Sequence, residues 1–229
     1  PFGWKYDKSY TRISTNDVAT IQAYAKKGGK YLIKLQPKAD GGKNLYCGQR
    51  IDVSNHTELV IVSESTNISL CVKSTMSKDP NIYSDLFRVE DGSSLTLGDN
   101  EKNGKHGVIL DGRGTAHMGR LVCVEVGGSL NIYPGTEIKN NNSMDGRGSG
   151  IINKGTMMMY GGTISGNKFA TTEKNFQEVN LKDDDDKTYC HGGGLRNDGN
   201  CTIKDGTISG NTAATGGGIY TTGPDYESD

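Results

Sequence analysis

Short runs of alternating apolar and polar residues dominate the chain, and a helical spacing occurs only near its beginning. Val18, Ile21 and Ala25 recur at spacings of three and four, which predicts a helix over 16–27. Farther along, apolar residues two apart, as in Leu95 and Leu97, predict short β-strands with one buried face. The residues expected at the helix ends are Thr15 or Asn16 as the cap, Asp17 in the first turn, and Gly28 and Gly29 after the last turn.

The second half of the chain repeats this strand pattern. The aligned segments are FRVEDGSSLTL from Phe87, VCVEVGGSLNI from Val122, SGIINKGTMMM from Ser149, GGLRNDGNCTI from Gly193 and the partial GGGIYTTG from Gly216. Periods of 20–50 residues are typical of solenoids, in which a chain bends and lands about 4.8 Å above itself. The sequence therefore predicts an all-β fold, a parallel β-helix whose repeats are clearest over 86–220.

The alignment also predicts which residues stack in columns. One column is expected to hold Val89, Val124, Ile151, Leu195 and Ile219; the others are Leu95/Leu130/Met157/Cys201, Leu97/Ile132/Met159/Ile203 and Ile138/Ile164/Ile208. Asn141, Asn167 and Asn211 share a further column. For these asparagines we expect a hydrogen-bonded ladder at a turn, and a polar binding ridge is the alternative.

The same logic predicts the domain organisation. Residues 1–30 form an N-terminal segment whose helix covers the first coil, and residues 31–229 form the β-helix. An open coil exposes strand edges and an apolar bore. Because no second cap follows Tyr220, we expect a C-terminally truncated β-helix that continues beyond Asp229 in the natural protein.

Two recurrent motifs carry a family resemblance. GGGL at 192–195 and GGGI at 216–219 form one motif, and ISGN at 164–167 and 208–211 forms the other. They resemble the right-handed parallel β-helix repeats of large bacterial cell-surface proteins, and are similar to the GGA[ILV] and FxxN repeats of polymorphic membrane protein adhesins, with Ile in place of Phe. The earlier half more loosely resembles the capping region of pectate-lyase-like folds.

The resemblance implies a secreted or surface-displayed bacterial protein. Its expected function is that of an adhesin-like binding module in host interaction, with a host glycan, glycoprotein or immunoglobulin as the partner. We expect a monomer. Since β-helices also carry enzymes, a polysaccharide lyase or glycoside hydrolase acting on an extended polysaccharide stays as the alternative.

Composition and charge exclude other classes. The chain has 33 glycines among 229 residues, and 26 Lys and Arg against 27 Asp and Glu give a net charge of −1. No apolar run is long enough to span a membrane, and the balanced charge argues against a nucleic-acid partner. The five cysteines lack CxxC spacing, which disfavours a zinc site.

A repeated DGRG motif provides the candidate binding face. Its charged residues are Asp111, Arg113, Asp145 and Arg147. The polysaccharide lyases of the resembled fold hold calcium with carboxylates beside a basic arginine on such a face. Calcium usually takes six to eight oxygen ligands, however, and two aspartates supply few of them. We therefore expect no cofactor and assign no catalytic residue, with calcium as the open alternative.

An insertion at about 168–191 interrupts the repeats and provides the candidate binding loop. Long loops on rigid scaffolds often carry binding residues. Its candidate contacts are Phe169 and Phe176 as apolar anchors and Asp183, Asp184, Asp185 and Asp186 as a cation-attracting run. A neutral solvated insertion and an added enteropeptidase site, DDDDK, are the other interpretations.

Overall fold

The structure is a computed structural model that describes residues 8–64, 68–76, 84–99, 104–144, 149–169 and 191–222. Its described residues are almost entirely strands and turns, with one helix near the start. The elements in chain order are β1 (Thr11–Thr15), α1 (Val18–Ala25), β2 (Gly29–Leu35), β3 (Asn44–Cys47), β4 (Ile51–Val53), β5 (Thr57–Ser63), β6 (Ser69–Val72), β7 (Phe87–Val89), β8 (Ser94–Leu97), β9 (Ile109–Asp111), β10 (Ala116–His117), β11 (Val122–Val124), β12 (Ser129–Ile132), β13 (Glu137–Lys139), β14 (Asn142–Ser143), β15 (Ile151–Asn153), β16 (Thr156–Met159), β17 (Thr163–Ser165), β18 (Lys168–Phe169), β19 (Leu195–Asn197), β20 (Asn200–Ile203), β21 (Thr207–Ser209) and β22 (Ile219–Thr221).

The described strands form four parallel sheets. Their strand orders are β1-β2-β5-β8-β12-β16-β20 in sheet A, β3-β6-β9-β13-β17-β21 in sheet B, β4-β7-β11-β15-β19-β22 in sheet C and β10-β14-β18 in sheet D. From β2 onward the chain passes through sheets A, B and C in turn and then returns to sheet A beside its previous passage; we call each passage a rung. This all-β order of parallel sheets agrees with the predicted parallel β-helix.

Three of the four predicted apolar columns are confirmed by the strand register. Leu95, Leu130, Met157 and Cys201 are successive partners in sheet A, as are the residues two positions later in the same strands. The same holds for Ile138, Ile164 and Ile208 in sheet B. Because inward side chains come two apart, these columns form one continuous buried core between the sheets.

The predicted column in sheet C is wrong by two residues. Val89 pairs with Val124 as expected, but Val124 pairs with Asn153, and Ile151 pairs with Val122. The turn from sheet C to sheet A is shorter by two residues after β15 than after β11. A shift of two keeps every side chain on its own face, so the ungapped alignment retained the inward pattern while misplacing the partners.

The helix lies over the first rung, where the predicted cap was placed. Ile21 and Ala25 are fully buried, and α1 contacts β3, β4 and β5. The N-cap is Asp17, not Thr15 or Asn16: its carboxylate accepts hydrogen bonds from the N–H groups of Ala19 at 3.1 Å and Thr20 at 3.2 Å. These bonds, the one from Ala19 foremost, lower the pKa of Asp17.

The asparagine column is a buried ladder, as expected, and not a surface ridge. The backbone N–H of Asn141 donates to Oδ1 of Asn167 at 3.0 Å, and the N–H of Asn167 donates to Oδ1 of Asn211 at 3.0 Å. Asn167 also donates through Nδ2 to the carbonyl of Ile138 at 3.1 Å. Each amide thus joins two rungs at a corner where the backbone has stopped pairing in sheet B.

His117 ends this ladder inside the protein. Nδ2 of Asn141 donates to two backbone carbonyls, so its Oδ1 is left to accept from Nε2 of His117 at 2.7 Å. Nδ1 of His117 lies 3.2 Å from the carbonyl oxygen of Ser84. Burial lowers the pKa of His117 despite these two contacts, which favour the charged ring. The buried ion pair of Asp85 and Arg120 acts on the ring with opposite effects: Asp85 raises the pKa of His117 and Arg120 lowers it.

Replacing Asn167 by Ala tests the ladder. The change leaves the buried Asn141 N–H and the Ile138 carbonyl without their side-chain partners, and we expect the free energy of unfolding to fall by about 2–5 kcal/mol. Urea denaturation measures it. Asn131→Ala is the matched control, because Asn131 makes a single bond of 3.4 Å on the outer face of sheet A. Equal losses in the two variants would contradict the ladder's role.

The buried His117 predicts a loss of stability in acid. Its pKa is lowered in the folded state, so the unfolded chain binds more protons and stability falls as the pH drops below the ordinary value of 6.5. The slope reaches at most about 1.4 kcal/mol per pH unit. Thermal unfolding between neutral and mildly acidic pH measures it, and His117→Gln removes this slope. His56→Gln, which replaces an exposed histidine, should retain it.

Candidate functional site

The structure brings together only part of the predicted site residues. Asp111 and Arg113 are described, whereas Asp145 and Arg147 lie outside the described residues. Phe176, Asp183, Asp184, Asp185 and Asp186 lie outside them as well. Phe169 was expected in the inserted loop, but it belongs to β18 and pairs with Ser143. His191, at the other end of the insertion, forms a bridge with Thr215.

Asp111 and Arg113 lie in a surface groove at the corner between sheets B and D. A second groove, across sheet B, has a volume of about 540 Å³, and the groove at Asp111 and Arg113 has a volume of about 490 Å³. We call the latter the Arg113 groove; its lining residues are Asp111, Arg113, Gly114, Asn140, Gly166 and Lys168. They come from three successive rungs, so stacking of the rungs forms the groove.

Local hydrogen bonds set the position of Arg113. Asp111 ends β9, and its Oδ1 accepts from the backbone N–H of Arg113 at 2.7 Å. This turn holds Arg113 in the left-handed region, at a φ of 57°. Nδ2 of Asn140, on the next rung, donates to the same oxygen at 3.3 Å. The Asp111 carboxylate therefore accepts hydrogen bonds from two uncharged N–H groups of the same corner.

The groove holds two cations without carboxylate partners. In the described part of the chain, neither Arg113 nor Lys168 forms an ion pair, whereas nearby Lys139 is paired with Glu137. Both free cations are exposed. Asp111 lines the same groove, so the two cations leave it with one net positive charge. Together with the amide of Asn140 they form a hydrogen-bonding surface, which suits an anionic ligand.

Arg113 also covers a buried thiol. Tyr46, Cys71 and Asp111 share one outward column of sheet B, and Cys71 is fully buried there. The Arg113 guanidinium lies 5.3 Å from the Tyr46 ring centroid and hydrogen-bonds to Cys71, which raises the pKa of Arg113. Burial raises the pKa of the Cys71 thiol. Arg113 is thus held against the sheet.

The second groove lies at the corner between sheets A and B, and the sequence did not predict it. We call it the Glu137 groove; it is lined by Pro134–Glu137, Tyr160–Thr163, Asp205 and Gly206. The rings of Tyr133 and Tyr160 stack at 4.8 Å, and Nζ of Lys204 lies 4.8 Å from the Tyr160 centroid. These residues each follow a strand of sheet A, and that shared position was the only sequence signal for them.

The Tyr160 ring is covered by residues of the rungs on either side of it. Its hydroxyl lies 3.4 Å from the sulfur of Met158, on sheet A. Stacking of Tyr133, Tyr160 and Lys204 therefore stabilises the corner and leaves no open ring face for a ligand at Tyr160. The Glu137 groove offers carboxylate and hydroxyl groups, and the Arg113 groove offers cations; the two flank the same outer face of sheet B.

The described residues contain no group of three or more His, Cys, Asp or Glu side chains placed to hold a metal ion. Nor does the described chain include a helix that is long and apolar enough to cross a membrane. Comparison with protein-family models, curated proteins and solved structures finds no match for the chain.

Removing the Arg113 side chain should expose Cys71. In Arg113→Ala we expect alkylation of Cys71 by iodoacetamide to be at least several-fold faster, because the thiol loses its cover. Peptide mass spectrometry of native protein measures the rate. Arg12→Ala, which removes another exposed arginine, should leave it unchanged. An unchanged rate in Arg113→Ala would show that other groups shield the thiol.

Proposed function

We propose that this chain is a right-handed parallel β-helix solenoid of the bacterial cell-surface type, secreted or displayed as a binding module. The parallel order of the sheets and the in-register columns support the architecture. The GGGL, GGGI and ISGN motifs support the surface class by resemblance. They fall at rung corners and strand ends, the positions that a solenoid repeats.

The ligand of this module is a host glycan or glycoprotein, and it binds at the Arg113 groove. The observation that carries this proposal is the pair of unpaired cations, Arg113 and Lys168, beside the amide of Asn140. A carboxylate or sulfate of an acidic sugar would accept charge-assisted hydrogen bonds from both cations. A groove formed by several rungs also suits an extended chain, which contacts one rung after another.

The second candidate function is cleavage of an extended polysaccharide at this groove, with Asp111 and Arg113 as the candidate residues. Their presence in one groove favours this second candidate. Against it, the Asp111 carboxylate already accepts hydrogen bonds from Arg113 N–H and Asn140. The binding module is therefore the preferred function, and product analysis separates the two.

Binding is tested by titration calorimetry with heparin oligosaccharides, oligogalacturonates and sialyllactose, each beside a neutral sugar of similar size. We expect at least one acidic ligand to bind and its neutral counterpart not to. Arg113→Ala and Lys168→Ala should each weaken binding about 10- to 100-fold, since a hydrogen bond to a charged group contributes about 1.5–3 kcal/mol.

Lys154→Ala is the control, because Lys154 is paired with Glu125 at another corner of the rungs. Equal weakening in this variant would indicate general charge attraction and contradict a site at the groove. Absence of binding to every acidic sugar, with folding confirmed by circular dichroism, would contradict the proposal. New unsaturated or reducing ends that disappear in Asp111→Ala would establish the enzyme.

A further inference from the structure

The surface beside the Arg113 groove continues along the outer face of sheet B to an exposed tyrosine. Tyr46 begins the outward column that runs through Cys71 to Asp111, and Tyr46 is 43% exposed. Arg113 follows β9, two rungs away from Tyr46, yet its guanidinium lies 5.3 Å from the Tyr46 ring centroid. One side chain therefore belongs both to the Arg113 groove and to the surface around Tyr46.

A second cation lies over the same ring. Nζ of Lys38, in the turn before β3, is 5.6 Å from the Tyr46 ring centroid. In the part of the chain that the structure describes, Lys38 forms no ion pair. The fold thus holds two positive charges at one tyrosine although they repel each other, and an anion beside the ring would be attracted by both.

The nearby carboxylates do not cancel these charges. We define the cationic strip as Lys38, Tyr46, Arg113, Asn140 and Lys168. Among the described residues, the carboxylates of Asp40 and Asp111 lie beside it, so its three cations leave one net positive charge. Oδ1 of Asp40 accepts from the N–H of Gly42 at 2.8 Å, within the turn that carries Lys38. Lys139 lies next to Asp111 in the outward column, but it is paired with Glu137 and adds no net charge.

The stack sets the length of the cationic strip. The strands β3, β6, β9, β13 and β17 are consecutive in sheet B. Tyr46 lies on β3 and Lys168 directly follows β17, so four spacings of about 4.8 Å separate the two ends by about 19 Å. A disaccharide is too short to touch both ends. An extended chain of at least about four sugars reaches them, since each sugar advances the chain by close to one strand spacing.

We propose that the cationic strip binds an acidic polysaccharide laid along the stack, with one anionic group between Lys38 and Arg113 and another at Lys168 and Asn140. This inference rests on the proposed function of the Arg113 groove. It specifies the ligand as an extended chain with several acidic sugars. A nucleic acid suits the strip less well, because single strands bound without sequence preference stack successive bases on aromatic side chains, and Tyr46 is the one aromatic residue of the strip.

Titration calorimetry of the full chain tests the proposal with oligogalacturonates and heparin oligosaccharides, each from disaccharide to octasaccharide. We expect the affinity for at least one series to rise at least about tenfold up to the hexasaccharide, because the longer chain contacts both ends of the strip. Beyond that length the affinity should level off. The first series carries carboxylates and the second also carries sulfates, so the comparison identifies the anionic group.

Variants at the two ends of the strip should remove the dependence on length. Lys38→Ala is expected to lower the hexasaccharide affinity at least about tenfold and to abolish its advantage over the disaccharide. Lys168→Ala should do the same from the other end. Lys27→Ala is the matched control, because Nζ of Lys27 also lies over a tyrosine ring, 4.8 Å from the Tyr24 centroid, but outside the strip. Circular dichroism confirms that each variant is folded.

The outcomes separate the strip from the groove. An affinity that does not depend on length, or that Lys38→Ala leaves unchanged, would overturn the strip; if Arg113→Ala still weakened binding, the proposed function of the groove would stand. No binding at any length would overturn both. An oligothymidylate of equal charge that bound as tightly, and lost affinity in Lys38→Ala, would indicate a site for any polyanion and contradict the polysaccharide.

Discussion

The structure depends on in-register hydrogen bonding between one rung and the next. A strand of three or four residues cannot hold its conformation alone, and here each interior strand takes backbone partners from the rungs on both sides. Stability in such a stack is a sum of contacts between neighbouring rungs. The same register forces like residues into columns, which explains why isoleucine, leucine and methionine recur at fixed positions.

At each corner the chain must turn without leaving buried polar groups unsatisfied. The side-chain amides of three asparagines provide the hydrogen bonds that the sheet no longer supplies there: Asn141, Asn167 and Asn211. At the outer surface, the same stacking places side chains from different rungs next to each other. Arg113 and Lys168 lie in one groove for this reason, although a large part of the chain separates them in sequence. The candidate site is therefore a property of the stack.

Local patterns predicted much of the fold, and their failures have physical causes. The helix, the sheet A and sheet B columns and the asparagine ladder follow from spacing alone. The sheet C column failed at Ile151 because a turn shortened by two residues conserves the inward face while changing the partner. The N-cap was misplaced because Thr15, Asn16 and Asp17 are all good caps, and only the backbone shows which carboxylate or hydroxyl reaches the free N–H groups.

Periodicity was sufficient to specify an all-β chain of stacked short strands, since a period of two and a recurrent turn are local properties that any neighbouring rung must share. Contacts between side chains of different rungs, in contrast, join residues that are far apart in the sequence. Whether Arg113 finds a carboxylate and whether Tyr160 shows an open ring face depend on side chains brought together from separate rungs. For that reason the columns could be predicted from the sequence, whereas the Arg113 groove with its two cations emerged only from the folded arrangement.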